Sequence, residues 1–97
     1  MIQVEFSPQS LRDLQEIGDR IALDRPIRAE TFVNELIDTA EAIGYQPHAY
    51  PPRSDLSPGL REAIHKPYLV LFRTTDNHVE IVRIVHGARD LKNLSFK

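Results

Sequence analysis

The chain begins with a short alternation of apolar and polar positions, followed by an apolar stripe of helical spacing. Ile2, Val4 and Phe6 alternate with polar residues, which predicts a short strand with one buried face. Ser7 is a suitable cap for a helix over residues 8–23, because proline is tolerated at its first position. The apolar stripe consists of Leu11, Leu14, Ile17 and Ile21, and the charged face predicted to lie in water consists of Arg12, Asp13, Glu16, Asp19 and Arg20.

A second helix is predicted from Pro26 to the vicinity of Gly44. Proline fits the first turn of a helix, and glycine is a common residue just past its end. The predicted stripe runs through Ala29, Phe32, Val33, Leu36, Ile37, Ala40 and Ile43. The two helices form a hairpin with one apolar face, which requires a sheet to cover it.

The second half of the chain has the pattern of strands. The segment 44–59 contains four prolines and predicts an extended loop. Residues 60–65 predict a strand, residues 68–86 a β-hairpin, and residues 90–97 a tail whose Leu91 and Leu94 dock on the domain. The predicted fold is α+β, with an N-terminal strand, a helical hairpin and then a three-stranded antiparallel sheet, in one domain over residues 1–97. Helices on one face would leave the other face of the sheet open for a site.

The turn of the β-hairpin predicts which residues face each other. A turn centred on Asp76-Asn77 places Thr74 opposite Val79, Arg73 opposite Glu80, Leu71 opposite Val82 and Leu69 opposite Ile84. Alternation then places Arg73, Glu80 and His86 on one face. The other face receives Tyr68, Val70, Phe72, Ile81, Arg83 and Val85.

Three side chains of these strands are candidates for function. Arg73 is explained either by an ion pair with Glu80 or by a direct role. Arg83 has no partner within the hairpin, so it is the leading functional arginine unless an acidic side chain of the helices pairs with it. His86 is suited to acid–base chemistry, although a single histidine is more often structural.

Composition and charge narrow the functional classes. The chain of 97 residues is 41% hydrophobic and 27% charged, as in ordinary globular proteins, and it has no cysteine, signal-peptide pattern or apolar run of membrane-spanning length. We therefore expect a cytoplasmic protein without a membrane partner. Residues 1–45 hold four basic and nine acidic side chains, and residues 46–97 hold eight and five, so the C-terminal half is expected to face anions. No spacing of histidines and carboxylates indicates a metal site, and no motif indicates a cofactor.

Several segments together resemble the RelE/ParE toxin superfamily. They are Ser7-Pro8 with Asp13-Leu14, Pro26 with Phe32-Val33 and Leu36, the run Asp55 to Arg61, the run Tyr68 to Arg73, and the run Val85 to Asp90. The sequences PGLR, YLVLFR and HGARD, in this order, are similar to the ParE-like, or plasmid-stabilisation, side of the superfamily. The resemblance implies a bacterial type II toxin that is neutralised by a labile antitoxin, in a helical hairpin packed on a small antiparallel sheet.

The resemblance leaves more than one activity open. The favoured hypothesis is a ParE-like toxin that inhibits DNA gyrase and is not an enzyme. It would form a hetero-oligomer with a ParD-like antitoxin, and operator DNA would be contacted only through that antitoxin. Its target- or antitoxin-binding residues would be Arg61, Arg73, Arg83, His86 and Arg89. The first alternative is a RelE-type endoribonuclease that cuts mRNA on the ribosome, with Arg61, Arg83 and His86 at the phosphate. The second alternative is a non-toxic module that only binds an antitoxin.

Overall fold

A computed structural model describes residues 1–96 and gives the element order strand, helix, helix, strand, strand, strand. The elements are β1 (Gln3–Phe6), α1 (Pro8–Ala22), α2 (Pro26–Ala42), β2 (Arg61–His65), β3 (Tyr68–Thr74) and β4 (His78–His86). Short 3-10 turns follow at Ile43–Tyr45, Pro47–Ala49 and Leu91–Asn93. The predicted α+β fold is confirmed. Lys97, the last residue of the predicted tail, lies outside the described residues.

The strands form one four-stranded sheet in the order β1-β4-β3-β2. β2, β3 and β4 are antiparallel, as predicted, and β1 adds a parallel edge strand beside β4. The first and last strands of the chain are therefore neighbours. Gln3 lies opposite His78, and Phe6 lies opposite Ile81.

A β-bulge in β4 changes the predicted register halfway along the hairpin. Thr74 lies opposite Val79 and Arg73 opposite Glu80, as predicted. The register then shifts between Leu71 and Phe72, so that Leu71 faces Arg83 instead of Val82, and Leu69 faces Val85 instead of Ile84. Because side chains alternate along a strand, the extra residue exchanges the faces of all later positions. His86 consequently lies opposite Tyr68, on the face of the sheet that the helices cover. The prediction that it shares a face with Arg73 was wrong.

The N-terminus of α1 stabilises this bulge. The Ser7 backbone N–H donates to the Ile81 carbonyl at 3.0 Å, and its hydroxyl donates to the carbonyl of the extra residue, Val82, at 2.9 Å. The same hydroxyl oxygen accepts the Ser10 N–H at 3.0 Å, which confirms Ser7 as the helix cap. One side chain thus begins the helix and satisfies a carbonyl that the bulge leaves out of the ladder.

Two apolar cores lie on opposite faces of the sheet. The first packs the helices on one face and includes Leu14, Ile17, Phe32, Leu36, Val70, Phe72 and Ile81. The second lies on the other face and contains Leu60, Leu71, Val82, Val85, Leu91 and Phe96. The prediction of an open second face was wrong, because the proline-rich loop and the tail cover it. Leu91 docks as predicted, in a 3-10 turn.

Two positions of α1 do not follow the predicted helix pattern. Leu11, assigned to the apolar stripe, is 53% exposed, whereas Asp13, assigned to water, is only 4% exposed. The helix continues past the end of β1 along the edge of β4, so its buried face is directed partly at backbone groups. A carboxylate at that position can accept hydrogen bonds from backbone N–H groups, which an aliphatic side chain cannot do.

Candidate functional site

Arg83 is engaged within the fold by the buried carboxylate of α1. Its Nε lies 2.9 Å from Asp13 Oδ2 and its Nη2 lies 3.1 Å from Oδ1, a forked ion pair. Asp13 Oδ2 also accepts the Ile84 N–H at 2.9 Å, at the part of the β4 edge that β1 does not reach. The structural alternative for Arg83, a salt bridge to an acidic side chain of the helices, is therefore the observed one.

Arg73 holds two irregular segments on the second face of the sheet. Its Nη1 donates to the Phe96 carbonyl at 2.6 Å and its Nη2 donates to Ser57 Oγ at 2.6 Å. Glu80 faces it across the strands, but no ion pair joins the two residues. The expected cross-strand pair was wrong, because the backbone of the tail provides a closer acceptor.

Arg61 lies at the start of β2, on the opposite edge of the sheet from α1. Its Nη1 donates to the Tyr50 carbonyl. The same stretch runs beside β2, where the Glu62 N–H donates to the Pro51 carbonyl at 3.1 Å. Arg61 therefore helps to attach the proline-rich loop to the sheet edge.

His86 ends β4 beside an aromatic ring of β3. The imidazole stands edge-on to Tyr68, with ring centroids 5.4 Å apart, and its Nδ1 accepts the Ala88 N–H at 3.1 Å. That contact makes Nδ1 the acceptor and leaves Nε2 as the proton-bearing nitrogen of the neutral ring. The histidine is half-buried and stands where two surface grooves meet.

The grooves are lined by arginines from both halves of the chain. The larger, here called the arginine groove, has a volume of about 530 Å³. It is lined by Arg20, Ile21, Arg25, Arg28, Phe32, Pro67, Tyr68 and His86. The smaller, here called the side groove, has a volume of about 290 Å³. It is lined by Asp13, Glu16, Ile17, Arg20, Tyr68, Ile84, Val85, His86 and Arg89.

The two grooves differ in charge. Every charged wall residue of the arginine groove is an arginine. Arg28 stacks over the Phe32 ring, 5.2 Å from its centroid, and pairs with Glu35. The Arg28 hydrogen bond holds the pKa of the Glu35 carboxyl below its usual value, and the hydrogen bond from His65 acts in the same direction. In the side groove, Asp13 is already bound to Arg83, which leaves Glu16 as the acidic wall residue.

The structure brings together only part of the predicted site. His86 and Arg89 share the side groove, whereas Arg61, Arg73 and Arg83 are each engaged elsewhere in the fold. Sequence reasoning missed Arg20, Arg25 and Arg28, which belong to the half of the chain with excess acidic charge. The signal for them was local: the three arginines surround the break between the two helices, at Asp24-Arg25-Pro26.

Within residues 1–96, no cluster of three or more histidine, aspartate or glutamate side chains is arranged to bind a metal ion. Among the helices of those residues, none combines the length and the apolar character needed to cross a bilayer.

Known proteins match nearly the whole length of this chain. The profile of the family described as "ParE toxin of type II toxin-antitoxin system, parDE" matches residues 4–91. The toxin RelE2 of Caulobacter vibrioides is 34% identical over 91 residues, which cover 92% of this chain and 99% of that protein.

Two solved structures have the same fold. The chromosomal ParDE system from P. aeruginosa includes a chain that superposes with a TM-score of 0.80 at 20% identity, over 89% of this chain and 96% of that one. The RelBE2 toxin–antitoxin complex of Mycobacterium tuberculosis includes another, with a TM-score of 0.63 at 24% identity, over 88% and 96% of the respective chains. At these identities the likeness extends to the fold alone.

Proposed function

Because the chain belongs to the ParE toxin family of type II toxin–antitoxin systems, we propose that it inhibits DNA gyrase by protein–protein contact. A cognate ParD-like antitoxin neutralises it in a hetero-oligomer, and operator DNA is contacted only through that antitoxin. The toxin acts in the cytoplasm, where replication takes place. The proposal requires a binding surface and no chemical step by the toxin itself.

One observation favours gyrase inhibition over a nuclease activity. Arg61, Arg83 and His86, the residues predicted to contact the phosphate, do not lie together in one site. Arg61 is bound to the loop beside β2, and Arg83 is bound to α1 beside β4, with β3 between the two strands. A phosphodiester in a nuclease centre needs its acid–base and charge-stabilising groups within hydrogen-bond reach of the same group. Arg61, Arg83 and His86 do not provide that arrangement.

A different set of residues favours the ribonuclease as a second candidate. His86 lines the side groove together with Arg20 and Arg89. In one groove, a histidine can transfer a proton and arginines can stabilise charge at a phosphate. In this second candidate, Arg20 and Arg89 replace Arg61 and Arg83 beside His86.

Two assays in parallel separate the candidates. Purified toxin is added to gyrase with supercoiled plasmid, and to ribosomes translating a defined mRNA, followed in each case by analysis of strand breaks. We expect cleaved plasmid DNA with gyrase and intact mRNA on the ribosome. Cut mRNA with unaffected gyrase would overturn the proposal in favour of the ribonuclease, and no effect in either assay would indicate the non-toxic module.

His86→Gln sharpens the same experiment. Glutamine can still accept the Ala88 N–H but cannot act as an acid or base near neutral pH. For a gyrase inhibitor we expect the variant to keep activity within about threefold of the wild type, whereas loss of general acid–base catalysis costs about 100-fold or more. Unchanged thermal unfolding serves as the control for correct folding.

A further inference from the structure

The tail beyond β4 has few backbone hydrogen bonds to the rest of the molecule. Gly87 continues the path of β4, and its N–H donates to the Pro67 carbonyl at 2.8 Å. The hydrogen bonds that residues 88–95 make within the described chain are local, because they join these residues only to one another or to His86. A segment bonded in this way can leave its place without breaking the pairing of the sheet.

The far end of the tail is held against the second face of the sheet by two kinds of contact. Leu91 and Phe96 are buried in the second core. The Phe96 carbonyl accepts a hydrogen bond of 2.6 Å from Arg73 Nη1, and Nη2 of the same guanidinium donates to Ser57 Oγ at 2.6 Å. Arg73, on the interior strand β3, therefore joins the tail both to the sheet and to the proline-rich loop.

The crossing from β4 to the tail contains Arg89. His86 lies on the face that the helices cover and Leu91 is buried on the opposite face, so residues 87–90 pass from one face to the other. Arg89 lines the side groove, and its backbone N–H bonds to the His86 carbonyl at 3.1 Å. Its position depends on an anchor at each end of the crossing, which are Gly87 before it and the docked Leu91 after it.

We propose that residues 91–96 form a strap that opens and closes as a unit on the folded sheet. Arg73 is its clasp, and the closed strap holds Arg89 in the side groove. Arg73 is then a positioning residue that acts through the tail on a surface of the opposite face. A ligand that requires Arg89 in that groove favours the closed strap, and opening of the strap lowers the affinity for such a ligand by the same coupling. The inference rests on the fold and not on the target assigned above.

Native-state hydrogen exchange of the wild-type protein tests whether the strap opens by itself. The Leu94 N–H, which bonds to the Leu91 carbonyl at 3.2 Å, reports on the strap, and the amides of β3 report on the sheet. We expect Leu94 to exchange about 100-fold faster than the best-protected amides of β3, with little dependence on denaturant, as in a local opening. Equal protection of Leu94 and β3, with the same strong dependence on denaturant, would overturn the proposal.

Arg73→Ala tests the clasp in the same experiment. Arg12→Ala is the matched control, since Arg12 is an exposed arginine whose side chain bonds to Gln9. We expect Arg73→Ala to accelerate the exchange of Leu94 about tenfold or more, the factor that corresponds to loss of a hydrogen bond from a charged group. Arg73→Lys, which keeps a cation able to donate to the Phe96 carbonyl, should restore part of the protection. Equal exchange of Leu94 in Arg73→Ala and Arg12→Ala would overturn the role of Arg73.

The link to the side groove is measured on Arg89. We expect Arg73→Ala to accelerate the exchange of the Arg89 amide in step with that of Leu94, because both depend on the closed strap. The amide of Arg20, which lines the same groove from α1, should not change. Faster exchange of Leu94 with unchanged exchange of Arg89 would show that the strap does not position Arg89 and would overturn the proposal. If Arg73→Ala does not fold, Arg73→Lys provides the same comparison with a smaller expected effect.

Discussion

At the scale of single residues, Asp13 shows how one polar side chain can determine the position of a helix. The carboxylate accepts two hydrogen bonds from Arg83 and one from the Ile84 backbone N–H, and it is almost completely buried. β1 is too short to pair with the end of β4, so Asp13 satisfies a backbone donor there that another strand would otherwise bond. The ion pair therefore has a structural role, and it engages the Nε and Nη2 atoms of Arg83.

Asp13→Ala should lower the free energy of unfolding by about 3 kcal/mol, because it leaves both a partly buried guanidinium and a backbone N–H without an acceptor. Urea unfolding followed by circular dichroism measures the change. Asp19→Ala on the exposed face of the same helix is the control, and we expect a change of about 0.5 kcal/mol or less. Equal effects of the two substitutions would refute the structural role assigned to Asp13.

At the scale of elements, the C-terminal tail acts as a cover for the second core. Phe96 is 7% exposed and packs in that core, while its carbonyl accepts from Arg73. The sequence contained the apolar residues of the tail, but their spacing could not reveal where the tail returns. A short segment with two leucines and a phenylalanine has no period by which its destination can be predicted.

Phe96→Ala should destabilise the protein by about 3 kcal/mol, because truncation of a buried aromatic side chain removes apolar contacts and leaves a cavity. Lys92→Ala is a suitable control within the same tail, since Lys92 is exposed. Differential scanning calorimetry measures both variants against the wild type. If Phe96→Ala melted at the temperature of the control, the tail would not be a structural cover.

The link between α2 and β2 predicts a pH dependence. Glu35 pairs with Arg28 on its own helix and with His65 of β2, whose Nε2 lies 2.9 Å from Oε1. These partners hold the pKa of Glu35 below its ordinary value of 4.5 in the folded state. The stabilisation is therefore complete above the unfolded value and is lost as the pH falls through the lower, folded value.

Urea unfolding of the wild type and of Glu35→Gln over a series of pH values tests this link. We expect the wild type to be the more stable protein near neutral pH, and the difference to shrink as the pH falls below 4.5. Glu41→Gln, at an exposed position near the end of α2, should show no such narrowing. A difference that stayed constant down to strongly acidic pH would exclude the ion pairs as its source.

At the scale of the whole molecule, the order and type of the elements were predictable, and the assembly of the site was not. Local patterns located the helices, the strands and the Ser7 cap, because those features depend on neighbouring residues. The bulge in β4 is stabilised by a hydrogen bond from Ser7, which lies 75 positions away from Val82 in the sequence. Its effect on the later register decided that His86 would face the helices, where Arg20 and Arg25 lie.

Contacts between residues that are far apart in the sequence also explain why the anion-facing surface was assigned to the C-terminal half alone. The excess of basic residues in the C-terminal half predicted the anion-facing surface there. Arg20 and Arg25, for which residues 1–96 provide neither a hydrogen bond nor an ion pair, nevertheless belong to the acidic half. Net charge of a segment does not report which side chains are already neutralised. Arg53, for example, is held by Asp55 and Glu62 and contributes little free charge to the surface.

The parallel pairing of β1 with β4 also has a consequence for synthesis of the protein. The partner of β1 is β4, and the partner of Asp13 is Arg83, so a nascent chain lacks both until β4 has been synthesised. Arg89 and His86 join Arg20 and Arg25 only at that same moment. A growing chain therefore cannot form the arginine-lined surface before β4 and the segment that contains Arg89 have been synthesised.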